Sequence, residues 1–332
     1  MSNQLPTIGV TMGDPAGIGS EVIVKSYPTL VEKATVVVIG DASVLADAAD
    51  RFAPSLTVHR VDSPTEADAD PEVLPVIDLD NVSTHQYGEL SQANGEASLE
   101  YIQRAIELAQ AGEIDGMTTA PINKQATRMA GSKYAGHTGM LADYTDTEDY
   151  SMMLIEDDLT VTHVSTHIPL REACSQLTVD DVASTITVTD EALHDLNIDN
   201  PSIAVAGLNP HASDGGLLGD EEAEIIEPAV ERVAETGVDV TGPHSPDTVY
   251  VRAAAGEFDC VVSMYHDQGH IPIKMLGFTG SDDAVSGVNV TIGLPIVRTS
   301  VDHGTAFDIA GEGVASEQSM IDAVATAVEL VQ

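Results

Sequence analysis

Six apolar runs in this chain each end in a cluster of Gly, Pro, His, Asn or Lys, and no other feature constrains the fold as tightly. "TIGVTMGD" (7–14) leads into "GDPAGIG", and the run after residue 113 ends in "TTAPINK". "STHIPL", "GLNPHASDGG", "MYHDQGH" and "RTSVDHGTA" close four more. The runs themselves, such as "ATVVVIGD" (34–41), are continuously apolar, as strands buried on both faces are. Helical patterns lie between them. "SEVIVKSYPTLV" and "ASVLADAADRFA" read as helices, and "EASLEYIQRAIELAQAG" (96–112) is the clearest. There Leu99, Ile102, Ala105, Ile106 and Ala109 share one face, and Gly112 supplies a stop. The alternation predicts a mostly parallel sheet with helices on its faces. In such sheets ligands sit at the carboxyl ends of strands, which is where the clusters fall.

The remaining runs extend this pattern. Residues 150–170 read as two strands joined at "EDD", a hairpin, and 202–211 and 259–267 as two further strands with the helix "EEAEIIEPAVERVAETG" between them. Residues 287–300 are strand-rich, "SMIDAVATAVELVQ" is a last helix, and "DSPTEADADP" (63–72) is a polar loop. With 332 residues and no visible linker, the chain reads as two joined α/β lobes, crossed more than once.

Charge narrows what such a fold can bind. Lys and Arg number 13 against 54 Asp and Glu, a net charge of −41. No basic patch for nucleic acid can be built from this set, and an anionic membrane surface is excluded on the same ground. Disorder, the other reading of high charge, fails because apolar residues make up 43% of the chain in regular runs. The expectation is a hydrated acidic surface from a salt-loving source. The two cysteines, Cys174 and Cys260, form no CxxC pair, so no zinc ribbon or redox motif is expected. The start "MSNQLPTIGV" does not read as a signal peptide, and no run approaches about 18 apolar residues. A cytoplasmic enzyme without membrane partners is expected.

Several residues stand out as site candidates. "GDPAGIGSE" is neither GxxxxGK[ST] nor GxGxxG, since Val22 stands where a third Gly belongs. Its spacing fits a ligand loop or a tight turn into a helix. His167, His211 and His266 each lie at or just past a strand end, and three neutral imidazoles can hold a divalent cation. Three separately hydrogen-bonded histidines fit the same pattern. His270 stands four residues after His266, but Gly269 and Pro272 disfavour the helix that would align the pair. His163 in "TVTHVST" reads as a strand-face residue, and His59, His85 and His194 have unremarkable surroundings. Lys124, Lys274 and Arg298 are cations in apolar or turn contexts, suited to an anionic ligand or to one of the many carboxylates.

With these clusters in hand, the chain resembles the 4-hydroxythreonine-4-phosphate dehydrogenase (PdxA-type) family. The resemblance rests on "GVTMGDPAGIGSE", "TTAPINK", "GHTGMLA", "THIPL", "GLNPHASDGGLLGDEE", "PDT", "MYHDQGHIPIK" and "GVNVTIGLPIVRTSVDHGTAFDIAG", in order over residues 8–313. It implies a two-lobed α/β fold of the isocitrate/isopropylmalate dehydrogenase type, one catalytic unit over residues 1–332 with its active site in the cleft between lobes. It also implies a homodimer whose metal site is shared across the interface. The family's divalent metal ligands (Zn, Mg, Co or Mn) fall on His167, His211 and His266. Its substrate contacts fall on His137, Thr138, Lys274, Asn289 and Arg298. His303, Gly304 and Asp308 would line NAD, or alternatively NADP, in "DHGTAFDIAG", which looks like an adenine-binding segment.

The activity so implied is metal- and NAD-dependent oxidation, with decarboxylation, of a phosphorylated β-hydroxy acid such as 4-phosphooxy-L-threonine, in pyridoxine biosynthesis. Lys274 is the first choice for proton handling, and Asp247 the second catalytic residue. A related subgroup acts on D-threonate or D-erythronate 4-phosphate. A phosphate acyltransferase is the reading from another class. Two departures bear on the substrate: Gly139 stands where the family usually has Glu, and "TGSDDAVS" (279–286) is inserted between Lys274 and Asn289.

Overall fold

Apolar runs and their caps build the elements in the expected alternation. The computed structural model describes residues 5–134, 136–277 and 287–332. The chain begins β1 (Thr7–Thr11), α1 (Gly19–Leu30), β2 (Thr35–Gly40), α2 (Ala42–Phe52), β3 (Thr57–Val61), β4 (Val73–Asp78), α3 (Gln92–Gln110), β5 (Gly116–Thr119), α4 (Lys124–Met129) and α5 (His137–Thr145). It continues β6 (Ser151–Glu156), β7 (Leu159–His163), α6 (Leu170–Gln176), α7 (Val179–Asp195), β8 (Ser202–Ala206), α8 (Glu227–Ala234), β9 (Asp239–His244), α9 (Pro246–Ala254), β10 (Cys260–Ser263) and α10 (His266–Gly277). It closes with β11 (Val288–Ile292), β12 (Val297–Val301) and α11 (Gln318–Leu330).

The described residues form two compact units. The first holds the described residues through Thr145, then 287–288 and Pro295–Gln332; the second holds 146–277 and Asn289–Leu294. In the first unit the strand order is β3-β4-β2-β1-β5-β12, and every pairing is parallel. Val36, Val37, Val38 and Ile39 of β2 are all fully buried, which explains why that run does not alternate. In the second unit the order is β11-β6-β7-β10-β8-β9. There β6 and β7 form the antiparallel hairpin expected at "EDD", and β7, β10, β8 and β9 run parallel. Leu154, Val161, Ala204, Val249, Val261 and Ile273 pack together as its core. The fold is α/β, with a mostly parallel sheet flanked by helices, as the alternation predicts. No described helix is long and apolar enough to cross a membrane.

Three details differ from the sequence expectation. Helix α3 begins at Gln92, not Glu96, because the Ser91 side chain caps it by accepting from the Asn94 amide. Strands β3 and β4 flank the polar loop at 63–72, where no strand pattern stood out. Most consequentially, β10 ends at Ser263 and a helix runs from His266 through Gly269 and Pro272. A Cβ on residue 269 would lie 2.6 Å from His163 Nε2 and 2.7 Å from Ser263 Oγ. Glycine lets the helix press onto β7 and β10, and that packing overrides a propensity cost of about 1 kcal/mol. The 279–286 insertion lies outside the described residues.

Candidate active site

The second unit gathers histidines at the carboxyl ends of β7 and β10. These strands are neighbours in register, Ser263 opposite His163. Gln268 ties the ends together: its Oε1 accepts from the Met264 amide at 2.7 Å and its Nε2 donates to the Gly207 carbonyl at 2.7 Å. His167, in the loop after β7, has its ring centroid 5.4 Å from that of His266. His266 and His270 stack at 3.6 Å with planes 10° apart. His266 Nδ1 lies 2.7 Å from Asp267 Oδ1. The carboxylate accepts a hydrogen bond from Nδ1–H, so the proton stays on Nδ1 and Nε2 of His266 is left as the ligating atom.

His163 is 1% exposed, with Nδ1 3.1 Å from the Met152 carbonyl and Nε2 3.1 Å from His270 Nδ1. Burial first, and His270 next, push its pKa down to about 3. Burial, and then the neighbouring His266, push His270 down to about 4. Lys274 follows His270 by one turn of α10 and is half-buried. Asn289 on β11 donates from Nδ2 to Met152 Sδ at 3.2 Å, and its Oδ1 is buried with no hydrogen-bond partner among the described residues.

His211 sits apart from this group. It belongs to a run of non-glycine residues with left-handed backbone, His211 (φ 55), Ala212 (φ 51), Ser213 (φ 65) and Asp214 (φ 48). Such a run is strained and needs outside support. Glu222, 2% exposed, supplies it by accepting from the Asn209 amide at 2.6 Å, from Asn209 Nδ2 at 2.9 Å and from the Ser213 hydroxyl. Burial alone would raise the Glu222 carboxyl, but these donors hold it below its ordinary range. The His211 side chain is 65% exposed and its Nδ1 lies 3.7 Å from Asp247 Oδ2. Asp247, in the first turn of α9, also accepts from Ser245 Oγ at 2.6 Å.

A cavity of about 480 Å³ is lined by His211, Asp247, Tyr265, Asp267 and Gln268 among others. A second, of about 240 Å³, is lined by His167, His266, Tyr265 and Asp267. Among the described residues, no three His, Cys, Asp or Glu side chains of one chain could together hold a metal ion. The donor set therefore fits a divalent cation in part: His167 and His266 are together, one with its tautomer set, and His211 is not beside them.

The first unit gathers cations. Arg298 on β12 is 2% exposed and donates from Nη2 to Thr119 Oγ1 at 2.6 Å. Burial pushes its guanidinium down to about 9, still charged at neutral pH. His137 opens α5, and its Nε2 is buried without a hydrogen-bond partner among the described residues. Desolvation first, then the charges of Arg298 and Lys124, push its pKa well below the ordinary value. Lys124 is exposed at the start of α4, which Asn123 caps. Two cations around an unpartnered imidazole nitrogen suit a phosphate group. Thr138 stands beside His137, half-buried, and among the described residues a Cβ on Gly139 would touch only Tyr134, at 3.8 Å.

The segment 303–308 lies against the glycine-rich loop after β1. The Ile18 amide donates to the Thr305 carbonyl at 3.1 Å, and a Cβ on Gly17 would lie 3.1 Å from that residue. Gly13 (φ 74) makes the turn into α1 against Pro121, so this loop does serve as a tight turn. His303 is half-buried, while Gly304 and Asp308 are exposed, and no described residue lies within 4 Å of where a Gly304 Cβ would be. Nearby, Arg51, His85, Tyr87 and Gly311 line a cavity of about 410 Å³. An aromatic face and a cation in this cavity fit the adenosine end of a dinucleotide.

Residues 32–327 match the family model described as pyridoxal phosphate biosynthetic protein PdxA. The chain belongs to the PdxA family. It is 45% identical over 327 residues to the D-threonate 4-phosphate dehydrogenase of Pectobacterium atrosepticum, covering 97% of this chain and 98% of that protein. The crystal structure of 4-hydroxythreonine-4-phosphate dehydrogenase from Klebsiella pneumoniae superposes with a TM-score of 0.86 at 45% identity, covering 98% of this chain and 100% of that one. A β-decarboxylating dehydrogenase from Thermococcus kodakarensis has a TM-score of 0.53 at 13% identity, over 97% of this chain and 82% of that one, and shows the shared fold alone.

Sequence reasoning in this PdxA protein passed over two groups that the structure makes central. His163 was set aside because strand alternation does not reveal which strand end a helix will cover. Glu222 was invisible because its role depends on the backbone of a loop nine to thirteen residues away.

Proposed function

We propose that this protein is a dehydrogenase that oxidises the C3 hydroxyl of a four-carbon hydroxy acid 4-phosphate with NAD and a divalent metal, and that the product loses CO2. The observation that carries the reading is the buried, unpartnered His137 Nε2 flanked by Arg298 and Lys124 in a chain that carries the imidazole pair His167–His266. When bound, the divalent ion supplies Lewis acidity to the substrate oxygens and NAD supplies the hydride acceptor.

The chain's own residues bind and orient. Arg298, His137, Thr138 and Lys124 take the phosphate, and Asn289 offers its buried Oδ1 to a substrate donor. Asp267 holds His266 in the ligating tautomer. Lys274 handles the proton that leaves the oxidised hydroxyl, and Asp247 assists. His211 of a second copy of the chain is the third imidazole of the metal site in a homodimer. Its exposure, and the rigid support that Glu222 gives its loop, favour delivery outward. His303, Gly304 and Asp308 take the adenosine part of NAD.

A 2-hydroxy substrate, D-threonate or D-erythronate 4-phosphate, is favoured over the 2-amino acid 4-phosphooxy-L-threonine. Gly139 removes the carboxylate that the family usually carries there, and with it one partner for an ammonium at C2. Product analysis tests this. Oxidation at C3 and loss of the carboxylate turn the 2-hydroxy acids into dihydroxyacetone phosphate, and the amino acid into its amino ketone. Mass spectrometry of reactions at high salt should show the first product forming faster. Faster formation of the amino ketone would sink the substrate assignment, and no product from any of the three would sink the dehydrogenase reading.

A further inference from the structure

His163 is buried and takes no part in the phosphate pocket or the His167–His266 pair, yet both its ring nitrogens are engaged. Nδ1 faces the Met152 carbonyl oxygen, which only accepts, so Nδ1 carries a proton. Nε2 faces His270 Nδ1 at 3.1 Å. That nitrogen of His270 also lies 3.0 Å from the His266 carbonyl oxygen, so it too carries a proton and donates. His163 Nε2 is therefore an acceptor, and His163 is a neutral Nδ1–H tautomer. Neutral His270, with its proton on Nδ1, keeps its lone pair on Nε2. No hydrogen bond to that Nε2 occurs among the described residues.

The surroundings fix this arrangement. Gly269 is the one residue type that lets α10 approach His163 so closely, since a Cβ would lie 2.6 Å from Nε2. The His270 ring is held on its other side by the stack on His266. A carboxylate or carbonyl is the usual device for setting a histidine tautomer. Here the His266 carbonyl and a second, buried imidazole share that task, and that imidazole is itself set by the Met152 carbonyl.

We propose that His270 offers its Nε2 lone pair as a hydrogen-bond acceptor to a hydroxyl of the bound substrate, and that His163 is the positioning residue that, with the His266 carbonyl, fixes the tautomer and ring plane of His270. This rests on the reading that a hydroxy acid binds beside His167 and His266. It adds to the reaction an acceptor one helical turn from the metal pair and one turn before Lys274.

The test begins with long-range ¹H–¹⁵N NMR of the histidine rings in the full-length protein, which reads tautomers without any substitution. His163 and His270 should both show a protonated Nδ1 and an unprotonated, pyridine-like Nε2. His163→Leu, which leaves only the His266 carbonyl to hold the His270 Nδ1 proton, should loosen the His270 ring and lower kcat on the order of tenfold, the loss of one oriented hydrogen bond, with KM for NAD unchanged. His163→Gln, whose amide oxygen can replace the acceptor, should restore most of that loss. His270→Gln, which keeps an acceptor near the Nε2 position, should retain more activity than His270→Asn. A wild-type His270 protonated on Nε2, or a His163→Leu enzyme with kcat unchanged, would overturn the proposal. The two failures are distinguishable: wrong tautomers in an active dehydrogenase sink this inference alone, whereas the stated tautomers in a protein inactive on every phosphorylated acid sink the substrate-acceptor role together with the functional reading.

Discussion

His266 and His270 stack ring on ring, 3.6 Å between centroids and 10° between planes, one turn apart on α10. Only a helix makes that pair, and the helix exists because Gly269 seats it on His163. The stack holds the plane of His266, while Asp267 sets its tautomer. Metal affinity should therefore depend on residues that never touch the ion.

Asp267→Asn tests that dependence. The amide no longer favours a proton on His266 Nδ1, and divalent binding should weaken by about tenfold or more. Calorimetric titration of chelated protein with Co²⁺ or Zn²⁺ measures it. Affinity equal to wild type would mean that Asp267 does not orient His266.

Arg298→Lys should raise KM for the phosphorylated acid on the order of a hundredfold, because an ammonium cannot reproduce both the bond to Thr119 Oγ1 and a planar fork on phosphate. KM for NAD should stay within about twofold. Equal losses for phosphorylated and unphosphorylated acids would show that Arg298 does not read the phosphate.

Asp14 gives a pH dependence of stability. It is 1% exposed, and burial lifts its pKa to about 6 from 3.8, although the Ala16 amide donates to it. A raised folded pKa favours the protonated form. The contribution is complete below about pH 3.8 and is lost as pH rises through about 6. Asp14→Asn should therefore be more stable than wild type above pH 6, by up to about 3 kcal/mol, with the gain shrinking to nothing near pH 4. Urea unfolding at several pH values checks this; a gain independent of pH would contradict it.

Salt should stabilise the fold. A net charge of −41 repels itself, and screening lengths fall from about 10 Å at 0.1 M to about 3 Å at 1 M. Thermal unfolding midpoints should rise steeply with KCl up to molar concentrations. A flat response would show that the acidic surface carries no stability burden at low salt.

The architecture was legible where apolar runs were long and uninterrupted. β1, β2, α2 and the β6–β7 hairpin needed only local pattern, because their burial is of one kind along their length. α10 was not legible, since Gly269 and Pro272 argue against a helix locally and only contact with β7 explains it. The candidate residues at strand ends could be named one by one, but their grouping could not. His167 joins His266, whereas His211 faces Asp247 on a left-handed loop that no spacing rule announces. Likewise the environment of His137 depends on Arg298, some 160 residues away in the chain and brought close by the fold.

The most direct test of the central claim is the initial rate of NADH formation at high salt with D-threonate 4-phosphate as substrate. The rate should be robust as purified, vanish after thorough chelation, return with added divalent ion, and be far lower with unphosphorylated D-threonate. A rate untouched by chelation, or equal with and without the phosphate, would contradict the account.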